Sequence, residues 1–161
     1  MTIECRVVDF TDPQQADALV NLLDDYATDP MGGGQALSAE TRQNLASALA
    51  KRHEALSVIV YVDGEPAGLA NCFETFSTFK CRPLLNIHDL AVSRRFRGQG
   101  LAKVLLNKIE SIARERNCCK LTLEVLEGNK VAQNAYLKFG FDGYQLDPEL
   151  GQALFWEKPL K

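Results

Sequence analysis

Apolar and polar positions along the chain switch between a period of two and a period near 3.6, so strands and helices are predicted in turn. Ile3 to Val8 reads as a first strand. Pro13 to about Tyr26 follows as a helix with Thr11 or Asp12 near its N-cap, and Asp29 to Gly34 breaks it into a flexible loop. Ser38 caps a second helix running to about His53, with Leu45, Ala46 and Leu49 at helical spacing. Leu56–Val62 and Pro66–Phe76 are β-rich runs joined by Asp63-Gly64, a strong two-residue hairpin signal. Leu84–Val92 is a further strand. From Gly98, the residues Leu101, Val104, Leu105, Ile109, Ile112 and Ala113 trace one helical stripe to Asn117. Leu121–Val125 returns as a buried strand, and a strand–helix–strand crossover of this length implies parallel neighbours with a right-handed connection. Asn129 to Phe139 forms a last helix stopped by Gly140, and Phe141–Tyr144 and Ala153–Glu157 close the sheet. The pattern predicts one α/β (α+β) domain over residues 1–161, a mixed sheet of about seven strands flanked by four helices.

Composition narrows the function classes. A formal net charge of −3 leaves no basic footprint for nucleic acid. No apolar run approaches the roughly 20 residues that span a bilayer, and the N-terminus lacks the apolar stretch of a signal peptide. The five cysteines are an odd number with no Cys-x-x-Cys pair, and His53 and His88 stand far apart. A disulfide framework or a metal site therefore has little support, and a reducing cytoplasm fits better. Cys118-Cys119, between a helix and a strand, reads as small buried apolar residues.

The candidate chemistry lies at Val92-Ser-Arg-Arg-Phe-Arg-Gly-Gln-Gly-Leu-Ala102, where a strand runs into a helix. Uncapped N–H groups and the helix dipole hold phosphate there, glycine lets the backbone come close, and arginine adds charge-assisted hydrogen bonds. A P-loop requires Lys and then Ser or Thr after the second glycine, and Leu101 follows instead. A dinucleotide fingerprint requires a third glycine where Lys103 stands. The spacing Arg95-x-x-Gly98-x-Gly100 resembles the acyl-CoA signature of the GNAT superfamily of N-acetyltransferases. A second segment, Asn129-x-x-Ala132-x-x-x-Tyr136-x-x-x-Gly140-Phe141, is similar to that family's tail motif, and the order of elements matches along essentially the whole chain.

The resemblance implies splayed parallel strands at an acetyl-CoA site. Leu90, Ala91 and Val92 would pair with the pantetheine arm and polarise the acetyl carbonyl, and Arg95, Arg97, Gly98, Gln99, Gly100, Leu101 and Ala102 would hold the pyrophosphate. Adjacent arginines cannot all converge on one anion, so at least one faces solvent. Tyr136 would donate a proton to the departing thiolate. Asn129 either contacts pantetheine or caps the last helix. Residues 76–92 look like the diamine and polyamine acetyltransferase branch, where a Glu-Asp pair leads toward the family's valine. This chain has His88 at the glutamate position and keeps Asp89. A histidine relays a proton at neutral pH, although the exchange removes a negative charge that would attract a polyamine. His88 reads equally as a hydrogen-bonded sheet histidine. Strand alternation would put Asn86 and His88 on one face and Asp89 on the other.

Acceptor choice is expected from the first two helices and their loop, with Asp24, Asp25 and Asp29 as a cation-attracting rim and Tyr26 as an apolar wall. The expected activity is acetyl transfer to a primary amine of a small molecule by direct attack, in a cytoplasmic enzyme without metal, with a homodimer implied by the family. The alternatives are a protein or peptide N-acetyltransferase and a non-catalytic acyl-CoA sensor. Replacing Gly98 or Gly100 with Glu fills the phosphate turn with a negative side chain, and loss of acetyl-CoA binding in calorimetry is the expected outcome.

Overall fold

The computed structural model describes residues 1–143 and 147–160. Five strands, β1 (Ile3–Val7), β2 (Ala55–Val62), β3 (Glu65–Ser77), β4 (Arg82–Val92) and β5 (Leu121–Leu123), lie side by side in chain order. The first four are antiparallel and β4 is parallel to β5. Four helices accompany them: α1 (Pro13–Thr28), α2 (Ala39–Ala50), α3 (Leu101–Glu115) and α4 (Lys130–Phe139).

Local chemistry sets the helix starts. The Asp12 carboxylate accepts from the N–H groups of Gln14 and Gln15, with Pro13 in the first turn, and the Ser38 hydroxyl accepts from Thr41 N–H. Between β2 and β3, Asp63 and Gly64 both take positive φ, the geometry of the two-residue hairpin. The sheet is buried on both faces. On one side Val58, Val60 and Val62 of β2 and Leu85 and Ile87 of β4 meet Leu101, Leu105, Leu106 and Ile109 of α3. On the other, Ile59 and Leu69 meet Leu19, Val20 and Leu22 of α1 and Leu49 of α2.

One irregularity in this sheet positions the candidate site. Asn71 of β3 pairs with Asp89, but the next residue, Cys72, pairs with Ile87. His88 is therefore the extra residue of a β-bulge. Ile87 and Leu90 both pack on the α3 side, so His88 and Asp89 are left together on the α1 side. This corrects the expected opposition of the two side chains: strict alternation fails where the bulge inserts a residue.

Among the described residues the sheet has five strands rather than about seven. Phe141–Gly143 form no strand, Tyr144 lies outside the described residues, and residues 153–157 form none either, with Leu154, Phe155 and Trp156 exposed. A β-prone run becomes a strand only against an edge that takes its N–H and C=O groups, and β5 is three residues long. Smaller differences follow the caps. The third helix begins at Leu101 rather than Gly98, the second ends at Ala50 rather than near His53, and β5 stops at Leu123 rather than Val125. Cys118 and Cys119 are half-buried.

Leu105 is fully buried at the centre of the α3 face. Leu105→Ala is expected to cost about 2–5 kcal/mol of unfolding free energy, measured by denaturant titration.

Candidate active site

The glycine turn, the expected phosphate site, starts where β4 ends. Ser93 N–H donates to Ala67 O at 2.8 Å, a 3-10 turn covers Arg94–Phe96, and the chain enters α3 through Gly98 and Gly100 at φ 79° and 75°. Side chains at either glycine would meet no atom within 4 Å, so the positive φ and the open approach require glycine here, not tight packing. Gly100 is the N-cap of α3 and no side chain caps that end. The first-turn N–H groups of Leu101 and Ala102 therefore point outward beside exposed Gln99, as an anion would need. A cleft of about 270 Å³ opens at this spot, lined by Gly100, Ala102, Lys103 and Leu106 of α3 and Ala135, Lys138 and Phe139 of α4. An open glycine turn, an uncapped 15-residue helix and an adjoining cleft flanked by two lysines suit the pyrophosphate of a coenzyme A thioester.

The arginines are engaged elsewhere. Arg95 pairs with Glu65 at 3.0 Å and lies over the Phe96 ring. Arg97 donates through Nε to Val92 O at 3.1 Å and through its terminal nitrogen to Asp29 at 3.1 Å, while Arg94 stands 3.8 Å from the same carboxylate. The Met31 N–H and the two guanidiniums hold Asp29 below the usual carboxylate range.

Beside the turn, β4 outruns its neighbour. It pairs with β5 only from Leu85 to Ile87, while its other edge stays on β3 as far as Val92. Past Ile87 the edge of β4 away from β3 is paired with no strand, its Val92 O taken by Arg97 Nε, and Tyr136 of α4 packs against the same core cluster as Leu90 and Val92. Burial raises the Tyr136 phenol pKa, and the nearby Tyr26 raises it further. The Asn129 side chain accepts from Ala132 N–H at 3.2 Å, so it caps α4.

On the α1 side of the bulge, of the residues expected to receive the acceptor, Tyr26 stands near Asp89. Tyr26 is half-buried; burial raises its pKa, with Asp89 and then Asp29 adding to the effect. His88 is exposed, edge-on to Phe73 with ring centroids 5.6 Å apart. Asn86 donates to Thr122 Oγ1 at 3.0 Å, across the β4–β5 pair. Asp24 does not join the expected rim: it pairs with Arg42 at 2.9 Å and accepts from Leu37 N–H, tying α1 to α2. Asp29 faces Arg94 and Arg97 of the glycine turn. Among the described residues Asp89 has no cation partner; its carboxylate accepts from Asn71 Nδ2 at 3.1 Å.

Asn71 and Ser57, which Asn71 bonds in turn, escaped the sequence reading. The signal was present, since each interrupts an apolar run (Leu69-Ala-Asn71-Cys-Phe73 and Leu56-Ser57-Val58) in a strand buried on both faces. Among the described residues no group of three or more His, Cys, Asp or Glu side chains is placed to hold a metal ion.

A sheet parted at its parallel pair and an uncapped helix behind a glycine turn fit a CoA thioester. The family model of the GNAT acetyltransferases matches residues 16–141, and the chain belongs to that family. A streptothricin acetyltransferase from Streptomyces lavendulae is 38% identical over 96 residues, covering 60% of this chain and 49% of that protein. A thialysine N-epsilon-acetyltransferase from Bos taurus is 30% identical over 93 residues, covering 55% and 54%. The chain spans about half the length of these curated relatives. Among solved structures, a probable acetyltransferase superposes with TM-score 0.80 at 21% identity over 100% of this chain and 99% of that one. The aminoglycoside N-acetyltransferase AAC(6')-Iy in complex with CoA gives 0.74 at 14% identity over 99% and 96%. Identities this low show the fold.

Arg95 makes an exposed ion pair, which contributes about 0–1 kcal/mol. Arg95→Ala is expected to change acetyl-CoA affinity by less than about fivefold in calorimetry, whereas a phosphate-binding arginine would cost tenfold or more.

Proposed function

We propose that this chain transfers acetyl from acetyl-CoA to a primary amine of a small cationic molecule, by direct attack of the amine on the thioester. The observation that carries the reading is Asp89: a half-buried carboxylate without a cation partner among the described residues, on the Tyr26 side of β4 and next to the phosphate turn. A carboxylate so placed calls for a cation, and an alkylammonium supplies one. The descriptions of the relatives, which name streptothricin and thialysine, support a small-molecule acceptor.

Each residue then has a task. Acetyl-CoA, when bound, supplies the acetyl thioester and leaves as the thiol. The N–H groups of Leu101 and Ala102, behind Gly98, Gln99 and Gly100, hold the pyrophosphate, and the edge of β4 from Leu90 to the Val92 N–H pairs with the amides of the pantetheine arm and polarises the acetyl carbonyl. Asp89 and Tyr26 orient the ammonium. His88, exposed beside Asp89, removes the ammonium proton through water and frees the nitrogen lone pair for attack. Tyr136, whose raised pKa keeps it protonated near neutrality, gives its phenolic proton to the departing sulfur and is reprotonated through solvent, which also takes the second proton that the nitrogen sheds as the amide forms. No acyl-enzyme step is needed. Cys72 of β3, pushed up to about 12 by burial and by the Asp89 charge, stays an unreactive thiol.

The test is release of free CoA thiol from acetyl-CoA against polyamines, amino acids, amino sugars and amine-bearing peptides. Turnover on a small amine supports the reading, turnover confined to peptides replaces it with a protein acetyltransferase, and acetyl-CoA binding with no turnover makes the chain a sensor. On the best acceptor, Tyr136→Phe is expected to lower kcat at least ~10-fold while CoA affinity stays within twofold of wild type.

A further inference from the structure

The polar side chains buried in the sheet form a single line. Ser57 of β2 is 2% exposed and Asn71 of β3 is 5% exposed, and both lie on the α1 side beside Ile59 and Leu69. Ser57 Oγ stands 2.6 Å from Asn71 Oδ1, and Asn71 Nδ2 stands 3.1 Å from Asp89 Oδ2. Chemistry sets the direction of this chain of bonds. An ionised carboxylate only accepts, so the Asn71 amide must turn its NH2 to Asp89, which leaves Oδ1 to accept the Ser57 hydroxyl proton. The register sets the reach. Asn71 is the last β3 residue paired before the bulge, directly opposite Asp89.

We propose that Asn71, backed by Ser57, is a positioning residue for amine acetylation: it holds the Asp89 carboxylate on the α1 side of the bulge, aimed at the ammonium of the acceptor. This rests on the acetyltransferase reading and extends it to two residues that do not touch substrate. A core Asn–Ser pair needing mutual satisfaction alone would not reach outward to a carboxylate that lacks a counter-ion. Asn71 Oδ1 and Nδ2 are both engaged within the line, whereas Asp89 Oδ1 accepts from no group among the described residues and stays available to a cation from outside the sheet. Of the titratable groups near Asp89, Tyr26 of α1 shares its side of the sheet and His88 is its neighbour in β4, while Cys72 of β3 lies on the α3 side; none carries a fixed positive charge.

The experiment is a double-mutant cycle on the full chain with the best amine from the panel. Asn71→Ala is expected to raise KM for the amine about tenfold while KM for acetyl-CoA stays within twofold. Asp89→Ala is expected to do at least as much, and Asn71→Ala added to it to change nothing further. Ser57→Ala is expected to reproduce a smaller part of the effect and Ser57→Thr to restore it, which keeps the test open if Asn71→Ala does not fold. Additive effects in the cycle, or equal losses for both substrates, overturn the proposal and reduce Asn71 to a core polar residue. The Asn71 side-chain amide resonances, read by NMR, are expected to move in Asp89→Ala. If they stay in place, the hydrogen-bonded line itself is refuted. If they move in a protein that acetylates no amine, the acetyltransferase reading fails while the line stands.

Discussion

The fold's working parts depend on what happens to β4 after Ile87. Up to that residue it has a neighbour on each side; beyond it β3 continues to pair and β5 does not. The strand therefore keeps its place while offering half of its hydrogen-bonding groups to a ligand. A continuous parallel pair would satisfy those groups internally and close the gap. The parting needs support from outside the ladder, and the fully buried Leu105 and Leu106 of α3 and the pairing with β3 supply it. At the end of the same strand the chain turns into an uncapped helix, so the unpaired edge and the free N–H groups fall next to each other.

The second organising feature is how charge is distributed around that strand. Asp24 belongs to Arg42, Glu65 to Arg95, and Asp29 to Arg97 and Arg94. These pairs tie α1 to α2 and the loop after α1 to the glycine turn, so Asp24 and Asp29, two of the three carboxylates that look in sequence like a lure for a cation, are occupied in the structure. Asp89 differs because its neighbour is an amide. An amide stabilises a carboxylate without neutralising it, and that is the condition for a carboxylate to retain its pull on a ligand.

Much of this was legible in the sequence, for identifiable reasons. The hairpin at Asp63-Gly64, the caps at Asp12 and Ser38, and the apolar stripe of α3 are local signals, and each element stands within a few residues of where the pattern put it. The glycine turn was readable because its spacing carries the chemistry. The bulge leaves a mark, because the apolar positions Leu85, Ile87, Leu90 and Val92 slip by one residue across His88-Asp89, but strict alternation read through that slip misses it. For that reason His88 and Asp89 were assigned to opposite faces. The closing strands failed in the same way: the apolar run Ala153–Trp156 suits a strand, but strand formation depends on a partner edge that no local signal describes. Ser57 and Asn71 were visible as polar interruptions of buried strands, and their meaning required knowing that residues 14 apart in the chain bond across the sheet.

The grip of Asp29 on Arg97 has a consequence beyond holding a loop in place. Arg97 is also bonded to the carbonyl that ends β4, so one guanidinium joins the loop after α1, the strand and the approach to α3. Any anion that draws on that guanidinium loosens Asp29, and any ligand that displaces the Asp29 loop frees the guanidinium for an anion. The two sides of the sheet's end are thereby in free-energy contact. By reciprocity, whatever the arrival of one ligand does to the affinity for the other, the second does to the first in equal measure.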